Sequence, residues 1–324
     1  MKLLPPIYVI NLTKDKERWA NILKQSDAAR ITPVRVDATM GKEMTWQERD
    51  DLATTTCRDY CTPSLLGVAS SHILAWEAFL NGPETHAIVM EDDAEFGADF
   101  KKQFLTKIRD VPSDFDFTFL GCSGACEYDD GVAWAWHDSM QVFAGGKRET
   151  VRITENVFVP KYPTAFHAYC LSRKCAEFLL QKMKGQVAYH IDLMFVSYLR
   201  ELKVYAMNPN IVNQRTTTEL SGNLTNKFPH ILNKMVSPIT DKNYTLDYIM
   251  TISTYDAYGV PINIWLFLWI LMAITSSTIA SNTMFSGLMF FLVFETMINW
   301  KNYKSIVAFL GILLIVWTPR IISR

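Results

Sequence analysis

The apolar run Ala87-Ile-Val-Met90 passes without a spacer into Glu91-Asp92-Asp93, and this junction constrains the fold more than any other feature. A continuous apolar stretch of this length fits a central strand buried on both faces. Three consecutive carboxylates cannot follow it into the interior unpaired, because desolvation would cost too much. They must stand at a strand end, either in water or around a cation. In open α/β sheets the crevice beyond the carboxyl ends of the strands is where ligands bind. A solvated acidic turn would satisfy the same segment, so its surroundings decide.

Those surroundings alternate. Pro6–Leu12, Asp116–Gly121, Thr164–Leu171 and Lys203–Met207 read as strands, and helical patterns lie between them. Thr13 is placed to cap a helix whose stripe is Trp19, Ile22 and Leu23. Ser70 or Ser71 is placed to cap the next, with Ile73, Trp76, Phe79 and Leu80 facing inward. Ser172 caps a helix through Phe178, Leu179 and Met183 that Gly185 can end, and Asp192 begins another. Alternation of this kind predicts an α/β fold, a Rossmann-like mostly parallel sheet with flanking helices.

The formal net charge of −1 disfavours a nucleic-acid partner. Hydrophobic residues make up 49% of the chain, and the excess gathers after Pro261. Ile262–Ala280 carries no charge over about the length of a bilayer core. Met284–Ile298, broken only by Glu295, and Ser305–Thr318 are further apolar stretches. The sequence therefore divides into a catalytic domain (1–240), a linker (241–261) and a membrane region of two or three hydrophobic helices (262–324). Lys301 and Lys304 precede the third stretch and Arg320 and Arg324 follow it, so the positive-inside rule fixes no orientation. No apolar stretch of signal-peptide length precedes Lys14-Asp-Lys-Glu-Arg18. The expectation is a membrane-associated protein with a cytosolic catalytic domain. Six cysteines form three close pairs, Cys57/Cys61, Cys122/Cys126 and Cys170/Cys175. Two pairs have Cys-x-x-x-Cys spacing, which a zinc site could use, but no other zinc-motif context is present. Reduced thiols are expected.

Glu91-x-Asp93 puts two carboxylates on one side of an extended segment, with Asp92 pointing away. Mg²⁺ and Mn²⁺ take such oxygen ligands and leave positions open for a diphosphate. A cation so held assists departure of a nucleotide diphosphate.

The context of this triplet resembles glycosyltransferase family 25. The resemblance rests on Ile7-Tyr-Val-Ile-Asn-Leu12 with Arg18, on Gly67-Val-Ala-Ser-Ser-His72 with Trp76, and on Ala87–Asp93. It resumes at Thr164-Ala-Phe-His-Ala-Tyr169, His190-Ile-Asp192 and Asn208-Pro-Asn-Ile-Val212 with Gln214. The blocks keep the family's order across most of residues 5–215. The resemblance implies an A-type glycosyltransferase fold and an inverting hexosyl transfer, of galactose or glucose, from a UDP-sugar to a glycan or protein hydroxyl. Mn²⁺ or Mg²⁺ is the implied cofactor, with Glu91 and Asp93 as its carboxylates and Asp92 in support of the donor site. Asn11 matches part of the nucleotide site. Arg18 either reaches the diphosphate or lies on a solvated helix face. Ser71 and His72 match the family's block, His72 as a donor to the nucleotide sugar or as a helix-start hydrogen bond. Asp192 is either the general base or a plain N-cap, with His190 as the alternative base. His230, the only histidine after His190, is the candidate third metal ligand. Trp134 and Trp136 either stack on an acceptor sugar or pack internally. The rivals from other classes are an inactive sugar-binding or scaffold protein, and a membrane protein with an ancillary soluble domain. Oligomeric state, acceptor and donor sugar are not legible.

Overall fold

The computed structural model describes residues 3–125, 140–215, 228–238, 240–241, 244–279 and 281–322. By internal contacts the chain forms two units. One comprises Met1–Asp59 and Pro63–Thr216, the other Tyr60–Thr62 and Thr217–Arg324.

The first unit is α/β. Its elements are β1 (Ile7–Asn11), α1 (Lys16–Ala29), β2 (Pro33–Asp37), α2 (Trp46–Leu52), α3 (Thr55–Tyr60), α4 (Pro63–Leu80), β3 (His86–Glu91), β4 (Ala94–Glu95) and α5 (Phe100–Lys107). They continue with β5 (Phe117–Ala125), β6 (Val151–Arg152), β7 (Val157–Val159), β8 (Tyr162–Ser172), α6 (Arg173–Met183), α7 (Ile191–Val196), β9 (Val204–Met207) and β10 (Asn213–Gln214). The main sheet has the order β2-β1-β3-β8-β5-β9-β7-β6. Six of its eight strands point one way, and β8 and β7 are reversed. The expected mostly parallel sheet forms, but with the antiparallel β8 inserted between β3 and β5. All five β1 residues are buried, as are the four that precede Glu91 in β3. This is the double-faced burial that their unbroken apolar character requires.

Two helix starts differ from expectation. Thr13 does not cap α1; its hydroxyl bonds Asp37, and the helix begins at Lys16 after a turn closed by Asp15 N–H to the Leu12 carbonyl at 2.9 Å. Helix α4 begins at Pro63, in the first-turn position that proline favours. Ser70 and Ser71 are therefore inside the helix rather than at its cap. Ser172 does cap α6, accepting from Cys175 N–H at 3.1 Å. The thiols also differ: Cys57 and Cys61 are disulfide-bonded, while Cys170 and Cys175 are free and buried. A disulfide sulfur is no thiolate, so Cys57 and Cys61 are not zinc ligands in this state.

In the second unit the three apolar stretches form α10 (Ile264–Thr278), α11 (Asn282–Ile298) and α12 (Tyr303–Ile322), preceded by α8 (His230–Val236) and α9 (Leu246–Thr251). Among the described residues one helix, over Trp300–Pro319, is long and apolar enough to cross a membrane; α10 and α11 are shorter apolar helices. Trp269, Leu292, Phe309, Leu313 and Trp317 fill the centre of this unit. Two of its indoles are matched inside it. Trp269 Nε1 donates to the Phe309 carbonyl and Trp317 Nε1 to Ser276 Oγ, both at 2.8 Å. Phe267, Phe290, Met297 and Ile315 face outward, each more than 60% exposed.

Candidate active site

Parallel β1 and β3 end side by side, with Ile10 opposite Glu91 in the ladder. The last residue of β1, Asn11, thereby meets the acidic turn and donates from Nδ2 to Asp92 Oδ2 at 2.7 Å. Arg18, in the first turn of α1, donates to Asp92 Oδ1 at 2.7 Å. Both Asp92 oxygens are thus engaged inside the protein. Burial raises the Asp92 carboxyl above its ordinary range, against the pull of Arg18 and Asn11. Burial also opposes the charge of Arg18, and Asp92 more than restores it.

Glu91 and Asp93 are placed differently. The imidazole Nε2 of His72 lies 3.2 Å from Glu91 Oε1, and the Glu91 side chain keeps 27% of its surface exposed. Burial works against its charge, but the hydrogen bond from His72 and the positive ends of His72, His167 and Arg18 hold the carboxyl below its ordinary range. Asp93 is pushed up to about 7, first by burial and then by repulsion from Glu91. Gln214, brought in where β10 pairs with β4, donates to Asp93 Oδ2 at 3.2 Å. Asp93 Oδ1 is buried with no hydrogen-bond partner. An orphaned carboxylate oxygen next to a second, repelling carboxylate is a donor set that a hard divalent cation would stabilise. Among the described residues no group of three or more His, Cys, Asp and Glu is arranged to hold a metal ion. The pair therefore fits a cation whose remaining positions are filled by diphosphate or water oxygens.

Below the turn lies an aromatic cluster. The ring of His72 packs on Phe166 at 5.5 Å, and Phe166 on Phe195 of α7 at 5.2 Å. Tyr169 stacks on Phe117 at 4.6 Å. The Tyr169 hydroxyl is bonded to His72 Nδ1 at 2.9 Å and accepts from Trp76 Nε1 at 2.8 Å. Complete burial drives its pKa well up, so it stays protonated. Asp192, at the start of α7, has both oxygens on backbone donors. Oδ2 accepts from Ala165 N–H at 3.1 Å and Oδ1 from Leu193 N–H at 2.8 Å. Ala165 takes a left-handed φ of 68°, and the next residue is the Phe166 that packs on His72. Asp192 is thus fixed beside the aromatic floor of the site, and His190 is the residue that precedes α7.

The structure gathers Asn11, Arg18, His72, Glu91, Asp92 and Asp93 directly. Ser71 accepts from Thr39 N–H at 2.9 Å and donates to the Gly67 carbonyl, so it fastens α4 to the segment after β2. His230 belongs to the second unit, where its backbone N–H bonds the buried carboxylate of Glu295. Trp134 and Trp136 lie outside the described residues. Tyr169, Trp76, His167 and Gln214 fall within the sequence blocks that resemble the family, Trp76 also as an inward-facing helix residue, but none of them is predicted as a site residue. Tyrosine and tryptophan in an otherwise apolar strand or helix face, each needing a partner for its polar atom, were the available signal.

A family model described as glycosyltransferase family 25 (LPS biosynthesis protein) matches residues 4–195. That span runs from β1 to the penultimate residue of α7, and so contains the acidic turn, His72 and Asp192. No curated protein matches the chain.

Proposed function

This chain belongs to glycosyltransferase family 25, and from that premise we propose that it moves a hexose, galactose or glucose, from a UDP-sugar to a glycan or protein hydroxyl with inversion. The observation that carries the reading is the buried, unpartnered Oδ1 of Asp93 next to the Glu91 carboxylate at the carboxyl end of β3. Glu91 and Asp93 would hold Mn²⁺ or Mg²⁺, which when bound neutralises charge on the departing diphosphate.

The remaining work falls to the chain itself. Asn11 and Arg18 saturate Asp92 and so keep the third carboxylate of the turn out of competition for the cation. Gln214 steadies one oxygen of Asp93 and leaves the other, buried and without a hydrogen bond, for the cation. Asp192, held by two N–H groups, is the general base. The acceptor oxygen attacks the anomeric carbon, the bond from that carbon to the diphosphate oxygen breaks, and the hydroxyl proton passes to Asp192. The apolar outer surface of α10–α12 supports attachment of the protein to a bilayer.

The test is Asp93→Ala with Mn²⁺-dependent donor hydrolysis and transfer measured across a panel of UDP-sugars. Loss of turnover by about two orders of magnitude or more is expected, as for removal of a group that stabilises the leaving group. Unchanged turnover on every donor would remove Asp93 from the mechanism, and a panel with no active donor would remove the UDP-sugar reading.

A further inference from the structure

Behind Glu91 stands a chain of three buried side chains, His72, Tyr169 and Trp76. Tryptophan is a donor only, so the 2.8 Å contact makes the Tyr169 oxygen an acceptor from Trp76. The hydroxyl proton of Tyr169 then needs its own acceptor, because an unmade bond at a fully buried hydroxyl is costly. The polar atom in reach is His72 Nδ1, at 2.9 Å. If Nδ1 accepts, the proton of a neutral imidazole lies on Nε2, which faces Glu91 Oε1 at 3.2 Å. Each direction follows from the one before it, starting at the indole.

We propose that Trp76 and Tyr169 are positioning residues which fix His72 as its Nε2–H tautomer, so that His72 donates to one oxygen of Glu91 and turns the carboxylate toward its ligand. All three partners are essentially removed from water, at 0%, 0% and 1% exposure for Trp76, Tyr169 and His72. The rings are also locked by packing, with His72 5.8 Å from Tyr169 and 6.3 Å from Trp76 between centroids. Solvent cannot exchange the hydrogen bonds, and rotation of the imidazole would break both of its contacts. Outer groups of this kind commonly set the orientation and basicity of a metal ligand.

The inference rests on Glu91 being a ligand of the donor's cation, and its test keeps the two ideas apart. The full chain, solubilised in detergent and free of metal, is labelled with ¹⁵N-histidine, and the His72 resonances are identified by their absence in His72→Gln. The expected result is an unprotonated Nδ1 and a protonated Nε2 in the parent, and a mixture of tautomers in Tyr169→Phe. Mn²⁺ binding, followed by the electron spin resonance of the free ion, should weaken about tenfold in a Tyr169→Phe chain that remains folded by circular dichroism at the assay temperature. Trp76→Phe, which leaves the tyrosine in place, should give a smaller change in the same direction. A protonated Nδ1 in the parent overturns the proposal. So does a folded Tyr169→Phe that keeps the parent tautomer or the parent Mn²⁺ affinity. If the parent binds no Mn²⁺, the metal reading of Glu91 falls, while the histidine spectrum still decides the tautomer.

Discussion

Asp93 titrates at about 7, because burial and the neighbouring charge of Glu91 both favour its neutral form. Below about 4, the range of an ordinary aspartate, the folded and unfolded states both hold the proton. Between there and about 7 only the folded state keeps it, so stability falls as pH rises through that window. The melting temperature of the metal-free chain should therefore drop between pH 4 and 7, and Asp93→Asn should flatten the slope. A cation requires the carboxylate and so competes with the proton. Mn²⁺ affinity should climb toward pH 7 and then level, with close to one proton released per ion near pH 6. Calorimetry in two buffers of different ionisation enthalpy checks this, and an affinity flat from pH 5.5 to 7.5 would exclude Asp93 as a ligand. Asp192 calls for a different experiment, since its two oxygens already serve Ala165 and Leu193. Asparagine offers one acceptor oxygen, so Asp192→Asn gives up one of those bonds, worth about 1 kcal/mol. Donor affinity should hardly move, while kcat falls by about 10²–10⁴ if the base is lost. A collapse of donor binding instead would make Asp192 the structural N-terminal anchor of α7.

The elements around the site depend on close backbone approach, and glycine marks where. A side-chain carbon added to Gly121 of β5 would stand 1.8 Å from the Val212 carbonyl oxygen and 2.6 Å from His167 Nε2. The strand is irregular at that point, with register shifts against β8 on either side of Gly121. Gly121→Ala must therefore displace the 211–214 segment that carries Gln214 to Asp93. A loss of about 3 kcal/mol is expected, at the upper end for overpacking, with Mn²⁺ affinity reduced alongside. Urea unfolding with a parallel Mn²⁺ titration would show it. The same physics explains what the sequence concealed. Gly67-Val-Ala-Ser-Ser71 resembles a loop running into a capped helix, because serine and glycine are poor helix formers. Inside α4 their smallness serves contact: a side chain at Gly67 would meet the Thr39 carbonyl at 2.7 Å and Gly41 N–H at 2.8 Å. Ser70 and Ser71 then bond Thr39 across the same seam. Period and composition are local quantities and cannot register a neighbour that arrives from 30 residues earlier. The strand ending in Glu91 was legible because its apolar run and its charge both depend on position within the strand alone. The reversed direction of β8 was not, since Thr164–Leu171 reads the same whichever way it pairs.

For the molecule as a whole, the cysteines bear on where the chemistry takes place. The sequence predicts reduced thiols, whereas the structure bonds Cys57 and Cys61 as disulfide. Both sulfurs lie in the interior, at 0% and 4% exposure, so neither is a surface thiol that oxidises incidentally. Disulfides persist where the compartment is oxidising and are rare where glutathione and thioredoxin act. The expectation of reduced thiols and the disulfide of the folded protein differ, and the oxidation state of Cys57 and Cys61 in the native membrane decides between them. The expected outcome is therefore an oxidised Cys57 and Cys61 in native membranes. A chain carrying Cys122→Ser and Cys126→Ser leaves four cysteines to count. Denatured in acid and treated with a polymer-tagged maleimide, it should take two tags without reductant, on Cys170 and Cys175, and four after reduction. Four tags without reductant would return Cys57 and Cys61 to the reduced thiols that the sequence predicts. The answer bears on the substrate as well, because a transferase on the oxidising side needs its UDP-sugar carried across the membrane, whereas one in the cytosol draws on it directly.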